Sequence, residues 1–283
     1  MLRARRGFTL AELAVALSLF GVFAGAVVRL LVTFQRQYVR QAERAELQTT
    51  LRMAAGLLVQ DLRELDATDP AGSDLLEAGD SSITYKAMRG LYITCVTSRA
   101  PAIYLDTVFM GLRGVDAEYD SVLVFAGSAA PPPNDDRWIH GDVASVSRGS
   151  DCPGARPSVR LGLELAAAVE SLPAGSPVRL FEIVQWRAYR DAAGDTWLGQ
   201  RRRQKASGWS AIQPVAGPLE PRGLRFAYYP GDIAPAELEG PGVSGLGVTI
   251  VGRSTRVLPL APGRVGFLTD SVMADVSFRS NRR

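Results

Sequence analysis

Residues 8–28, FTLAELAVALSLFGVFAGAVV, form an apolar run broken by a single charge, Glu12. In a helix these 21 residues span about 31 Å, close to the hydrocarbon thickness of a bilayer. A carboxylate deep in lipid costs several kcal/mol unless something pairs with it. The segment therefore either stays out of lipid or supplies Glu12 with a partner. Ahead of it stands MLRARR. Arginines flanking a span stay on the cytoplasmic side. A single-pass chain is expected, with its N-terminus in the cytoplasm and everything after Arg29 outside.

The charge of the whole chain does not point to nucleic acid. There are 32 Lys+Arg against 29 Asp+Glu, and Arg3, Arg5 and Arg6 account for the whole surplus. Only Lys86 and Lys205 are lysines. With the Ala, Gly and Pro richness, this arginine bias is compositional and carries no functional weight. The two cysteines, Cys95 and Cys152, form no CxxC pair, and a chain with one histidine is a poor candidate for a zinc cluster. In an oxidising compartment they could pair. Closing their 57-residue separation would stabilise the fold by about 4 kcal/mol on the loop-entropy model. In the cytosol they would be two buried thiols.

Three readings account for the N-terminus. A secretory signal peptide would be cut after Ala26, at Ala24-Gly25-Ala26, but it would carry Glu12 at the front of its apolar region. A plain membrane anchor leaves Glu12 unexplained. The third reading uses all the residues together. Gly7-Phe8-Thr9-Leu10-Ala11-Glu12, after a short basic leader and before a spanning run, resembles the cleavage and methylation motif of type IV prepilins and pseudopilins. The resemblance implies cutting after Gly7 by a prepilin peptidase and N-methylation of Phe8. It also implies pairing of Glu12 with the N-terminal amine of a neighbouring subunit. An opposite charge within reach offsets the cost of a carboxylate in lipid. Glu12 would then be costly alone and tolerable in an assembly.

Past Arg29 the helical pattern continues. Leu47, Leu51, Ala54, Leu58, Leu62 and Leu65 make one apolar stripe at helical spacing, with Arg40, Glu43, Arg44, Glu46, Arg52, Asp61 and Arg63 between them. The first proline is Pro70, and 66–73 read as a helix stop. One helix over about 8–66 is expected, its stripe laid on a globular head. A dimeric coiled coil over 35–66 is the alternative, and the stripe is under three heptads long.

The rest reads as β-structure. Val272, Ala274, Val276 and Phe278 alternate with polar residues, as do Leu224, Phe226 and Tyr228, and Val184, Trp186 and Ala188. Further strands are expected over 81–96 (two, split at Gly90), 102–110 and 121–126. A hairpin is expected at RDAAGDTW (190–197), a loop at 131–136 and a short helix at 163–171. The fold class is α+β: a long N-terminal helix packed on an antiparallel β-rich head. The expected divisions are a leader 1–7, a membrane or filament-core half-helix 8–34 and an amphipathic half-helix 35–66. Two β regions, 80–178 and 179–283, would share the leucine stripe. LLVQDLRELD (57–66), VRLFEIVQWRAY (178–189) and GLRFAYYP (224–230) also resemble the larger W-type minor pilins and the J-class pseudopilins of type II secretion. The middle, 100–160, departs from that pattern.

No residue pattern calls for catalysis. His140 has Asp136 and Asp142 nearby, but no G-x-S-x-G elbow accompanies it. GVSGLGV (242–248) lacks the strand-then-helix context of a phosphate loop and reads as a flexible loop. RRRQK (201–205) is the strongest basic patch, without flanking aromatic residues to stack bases; it reads as a solvated strand end facing acidic loops. Asp135, Asp136, Asp191 and Asp195 fit no EF-hand spacing. The expectation is a non-enzymatic subunit of a type IV pilus or secretion pseudopilus, without cofactor or metal, its bulky head suited to the filament tip. Its partners would be prepilin peptidase, other pilin or pseudopilin subunits and, before assembly, lipid of the cytoplasmic membrane. Nucleic acid is not an expected partner.

Overall fold

The computed structural model describes residues 9–66, 73–99, 101–127, 137–165, 172–229, 243–261 and 263–278. It opens with one helix, α1 (Leu10–Arg63). Thr9 caps it from an extended conformation (φ −84°, ψ 154°). No proline interrupts the run, and Arg63 stands in the last turn, where its charge suits the helix dipole. The chain after α1 is fastened by Asp74, whose carboxylate accepts from the Asp66 amide at 3.0 Å and whose own amide donates to the Asp66 carbonyl at 2.9 Å.

The strands are β1 (Leu75–Ala78), β2 (Ser82–Ile93), β3 (Ala102–Asp106), β4 (Met110–Gly111), β5 (Asp120–Ala126), β6 (Arg137–Cys152) and β7 (Arg156–Leu165), followed by β8 (Pro177–Arg190), β9 (Thr196–Gln204), β10 (Gly208–Trp209), β11 (Gln213–Tyr229), β12 (Gly245–Ala261) and β13 (Arg264–Ser277). All pair antiparallel in one sheet, with a main path β13-β12-β11-β9-β8-β5-β6-β7-β3. β8 is the branch point. One of its edges runs along β2 over its whole length. The other edge pairs with β5 through Val178–Glu182 and with β9 through Val184–Arg190. The sheet therefore forks beside Ile183.

The fork makes two cores. In the helix lobe, Leu47, Leu51, Ala54, Leu58, Leu62 and Leu65 pack against Ile83 and Tyr85 of β2, Val184 and Trp186 of β8, and β11–β13. Each fully buried leucine contributes about 1.5–3 kcal/mol. Gly252 allows the close approach of α1 to β12, since a Cβ there would sit 2.8 Å from Leu47. The distal lobe has a separate core whose described residues come from strands and loops, including Tyr92, Ile103, Leu105, Val122, Leu161 and Leu180. A disulfide between Cys95 and Cys152 (Cα–Cα 5.4 Å) ties the chain after β2 to the end of β6 in this lobe.

Several expectations change. The stripe is buried against its own sheet, so 47–65 is head packing and not a coiled-coil seam. Both expected β regions reach the stripe, the first through Ile83 and Tyr85 and the second through β8 and β11–β13, but the boundary expected at 178/179 falls inside β8, and no described α1 residue belongs to the distal core. β2 is one strand, with a bulge between Met88 and Gly90 in place of a break. The expected strand 102–110 ends at Asp106, and Met110–Gly111 pair instead with β2 as β4. Residues 163–165 continue β7 and are not helical; 166–171 lie outside the described residues. Gly245–Val248 are strand, not loop: a Cβ at Gly245 would lie 2.4 Å from the Val276 carbonyl oxygen, so glycine here serves close strand pairing. The expected loop 131–136 lies outside the described residues.

Candidate assembly site at the N-terminal helix

Gly7 and Phe8 lie outside the described residues; Thr9 and Glu12 are defined. They form a capping box. The Glu12 amide donates to Thr9 Oγ1 at 3.3 Å, while Glu12 Oε2 accepts from the Thr9 amide at 2.9 Å and the Thr9 hydroxyl at 3.0 Å. The sequence reading of Glu12 missed this local role, which the T-x-x-E spacing carries. Both donors converge on Oε2, so among the described residues Oε1 is left open to a partner outside the chain.

From Leu13 to Val28 the helix is apolar all round, and no described residue covers it. Leu13 is 55% exposed, Phe20 69% and Val22 75%. This stretch is long and apolar enough to cross a membrane. Its hydroxyls are spent on the helix itself: Ser18 Oγ donates to the Ala14 carbonyl and Thr33 Oγ1 to the Arg29 carbonyl, both at 2.8 Å. Lipid offers no alternative partner for such groups.

The head holds a buried charge cluster at the fork, which sequence reasoning also missed. Glu182 lies on the core face of β8 between Leu180 of the distal core and Val184 of the helix core. Its carboxylate accepts from Arg89 Nε at 2.6 Å, Arg113 Nη2 at 3.0 Å and Arg202 Nη1 at 3.4 Å. Arg113 also makes a two-pronged pair with Asp120, at 2.6 and 2.7 Å. Hydrogen bonding to Asp120 holds that guanidinium above its ordinary pKa, against the opposing effect of burial. Arg89 reaches back to Asp61 near the end of α1, and Asp61 accepts from the Tyr85 hydroxyl at 2.8 Å. Burial first, and Asp61 second, push the Tyr85 phenol well above its usual range. Helix end, fork and distal strands are thus joined by ion pairs and hydrogen bonds. The available signal was Glu182 itself, an acid in the apolar stripe of β8.

The other singled-out residues are engaged locally. His140 on β6 lies 4.0 Å from Asp142 and against Phe181. Burial lowers its pKa, partly offset by Asp142. Ser121 donates to Asp142 at 2.6 Å, not to His140. In the basic run, Arg201 stacks on Trp209 with 4.5 Å to the ring centroid and Arg202 on Tyr119 at 3.9 Å. Aromatic faces are therefore present, contrary to the sequence reading, but these arginines already cover them. Asp191 organises the β8–β9 hairpin, accepting from the Ala193 and Asp195 amides and from the Trp197 indole, each at 2.9 Å. Asp195 pairs with Arg253. Asp135 and Asp136 lie outside the described residues.

Residues 2–28 match the family model of the prokaryotic N-terminal methylation motif. No curated protein and no solved structure matches the chain. Together with the long apolar helix that follows it, the motif supports a type IV pilin-like protein, a pilin or pseudopilin processed by prepilin peptidase. It implies an inner-membrane-anchored chain that assembles with other pilin subunits. The match covers the leader and the span; the head lies outside it.

Proposed function

We propose that the chain is a minor subunit of a type IV pilus or secretion pseudopilus, acting through recognition and assembly and not through catalysis. The observation that carries this reading is the methylation motif placed directly before an uncovered apolar helix. Cleavage after Gly7 would free a cationic amine at Phe8. Glu12 Oε1 is the open oxygen that would accept from the amine of a neighbouring subunit. The head would lie outside the cytoplasm, an orientation supported by the Arg-rich leader and by a disulfide, which persists in oxidising compartments. A position at the tip is supported by the distal lobe, which enlarges the head beyond the part that α1 braces and would hinder repeated stacking along a shaft.

The test is the mass of the N-terminal peptide of protein taken from native membranes, with and without the host's prepilin peptidase. The expected chain starts at methylated Phe8 and is lost without the peptidase. A chain starting at Val27 would mean an exported protein with a conventional signal peptide, and the assembly reading would fall. Labelling of intact filaments tests the finer claim: signal at the ends supports a tip subunit, and even signal along the shaft refutes it.

A further inference from the structure

Several arginines that reach the head surface have acidic partners: Arg44 of α1 faces Asp270, Arg156 faces Asp106 and Arg253 faces Asp195. One open cleft of about 1070 Å3 instead gathers four arginines with no such partner. It lies between the β1–β2 turn, the C-terminal end of β8 and the bulge where β11 passes from β9 to β12. Arg187, Arg190, Arg222 and Arg225 all line it, and Asp80 is the one acid among the described residues that does. Among the described residues, none of the four guanidinium groups has an ion pair or a hydrogen bond.

Two of these arginines sit at a cost. Arg187 Nε is buried without a hydrogen-bond partner, a rare state for a charged donor because burial removes its water. Arg222 holds φ +62°, in the left-handed region that a residue with a β-carbon seldom adopts. Strain of this kind gathers at ligand sites. Burial, and then the charge of Arg187, lowers the pKa of Arg201 on the adjoining strand, against the opposing charge of Glu77. An oxyanion in the cleft would relieve the like-charge crowding and could fill the fork that the buried Nε helps to form.

We propose that this cleft binds a carboxylate-bearing segment of another polypeptide, whose Asp and Glu side chains enter the guanidinium forks. Phosphate chains offer similar oxygens but fit the lining less well. Tyr189 is the single aromatic side chain there among the described residues, so there is no run of faces on which bases could stack. Asp80 would repel a uniform line of phosphates, whereas it can accept from a peptide N–H or a basic side chain.

The test uses the full-length protein in detergent micelles at low salt, with labelled poly-L-glutamate as the probe and binding read by fluorescence anisotropy. Arg187→Gln and Arg225→Gln should each weaken binding about tenfold, the scale of one charge-assisted hydrogen bond. Arg222→Gly should also weaken it while leaving the thermal midpoint unlowered, because glycine tolerates the backbone there. The double variant Arg201→Gln/Arg203→Gln should bind as the parent does. A melting curve for every variant separates lost binding from lost fold. Absent binding, or binding that the cleft substitutions leave unchanged, overturns the site. Tighter binding of duplex DNA of matched charge, lost in the same three variants, overturns the polypeptide occupant.

Discussion

In the helix lobe, Leu58 and Leu62 are completely buried between α1 and the sheet, and the apolar stripe of a long helix supplies one wall of the core. In the distal lobe no described helix residue takes part; Ile103, Val122, Leu161 and Leu180 close a smaller core between strands, and the Cys95–Cys152 bond fastens it. The lobes meet at Glu182, where three arginines and three carboxylates replace apolar contact. Where a helix can lie across a sheet, burial of side chains suffices. Where strands have only strands for cover, the chain adds a covalent link. Where the two cores abut, it spends charges whose geometry fixes one relative position, at a desolvation cost that apolar packing would not incur.

The comparison can be broken at the junction first. Glu182→Gln leaves Arg89, Arg113 and Arg202 crowded around a neutral amide and should cost about 3–5 kcal/mol, the range for breaking a buried ion pair. Chemical denaturation of the full chain measures it; a loss under about 1 kcal/mol would mean that water already screens the cluster. Removing the disulfide with Cys95→Ser/Cys152→Ser should cost about 4 kcal/mol on the loop-entropy model. The damage should fall on one side. Limited proteolysis should open the chain between β3 and β7 while the helix lobe survives, and simultaneous loss of both would make the two cores one cooperative unit. Leu58→Ala should cost about 2–5 kcal/mol, with the helix lobe lost first. Met53→Ala, on the same helix but 65% exposed, should stay within about 0.5 kcal/mol and so calibrates the result. The smallest effect concerns acid. Burial depresses the His140 pKa in the folded state, so below the unfolded value of about 6.5 the unfolded chain takes up the proton first and stability falls with pH. His140→Gln should remove a shallow slope on the acid side of the denaturation-versus-pH curve. An unchanged slope would assign it to carboxylates.

What could be read from the chain was what repeats locally. The leucine spacing from Leu47 to Leu65 and the alternation from Val272 to Phe278 are visible because helix and strand each impose a period. The Gly7–Glu12 motif is contiguous. The fork was hidden because its contacts are not local: Arg89 and Glu182 are 93 residues apart, and Arg113 and Glu182 are 69 apart. Nothing in the alternation of β8 says that one edge will change neighbours at Ile183. The glycines of 242–248 misled because the same residue that frees a loop also permits two strands to close tightly, as Gly245 does against Val276. The arginines of the cleft are scattered over β8 and β11 and never form a run, whereas RRRQK does, and Arg201 and Arg202 within it are already engaged.

The helix carries a consequence for reach. The uncharged run ends at Val28, and the first α1 side chain with an ion pair to the head is that of Glu43, which pairs with Arg256. Residues 29–42 between them are bare helix, about 21 Å of it. In the membrane-anchored chain this acts as a rigid standoff. On the proposed assembly reading it would hold the head clear of the lipid headgroups, and it would leave a length of shaft on which a neighbouring subunit could close without first displacing anything the head needs for its own fold.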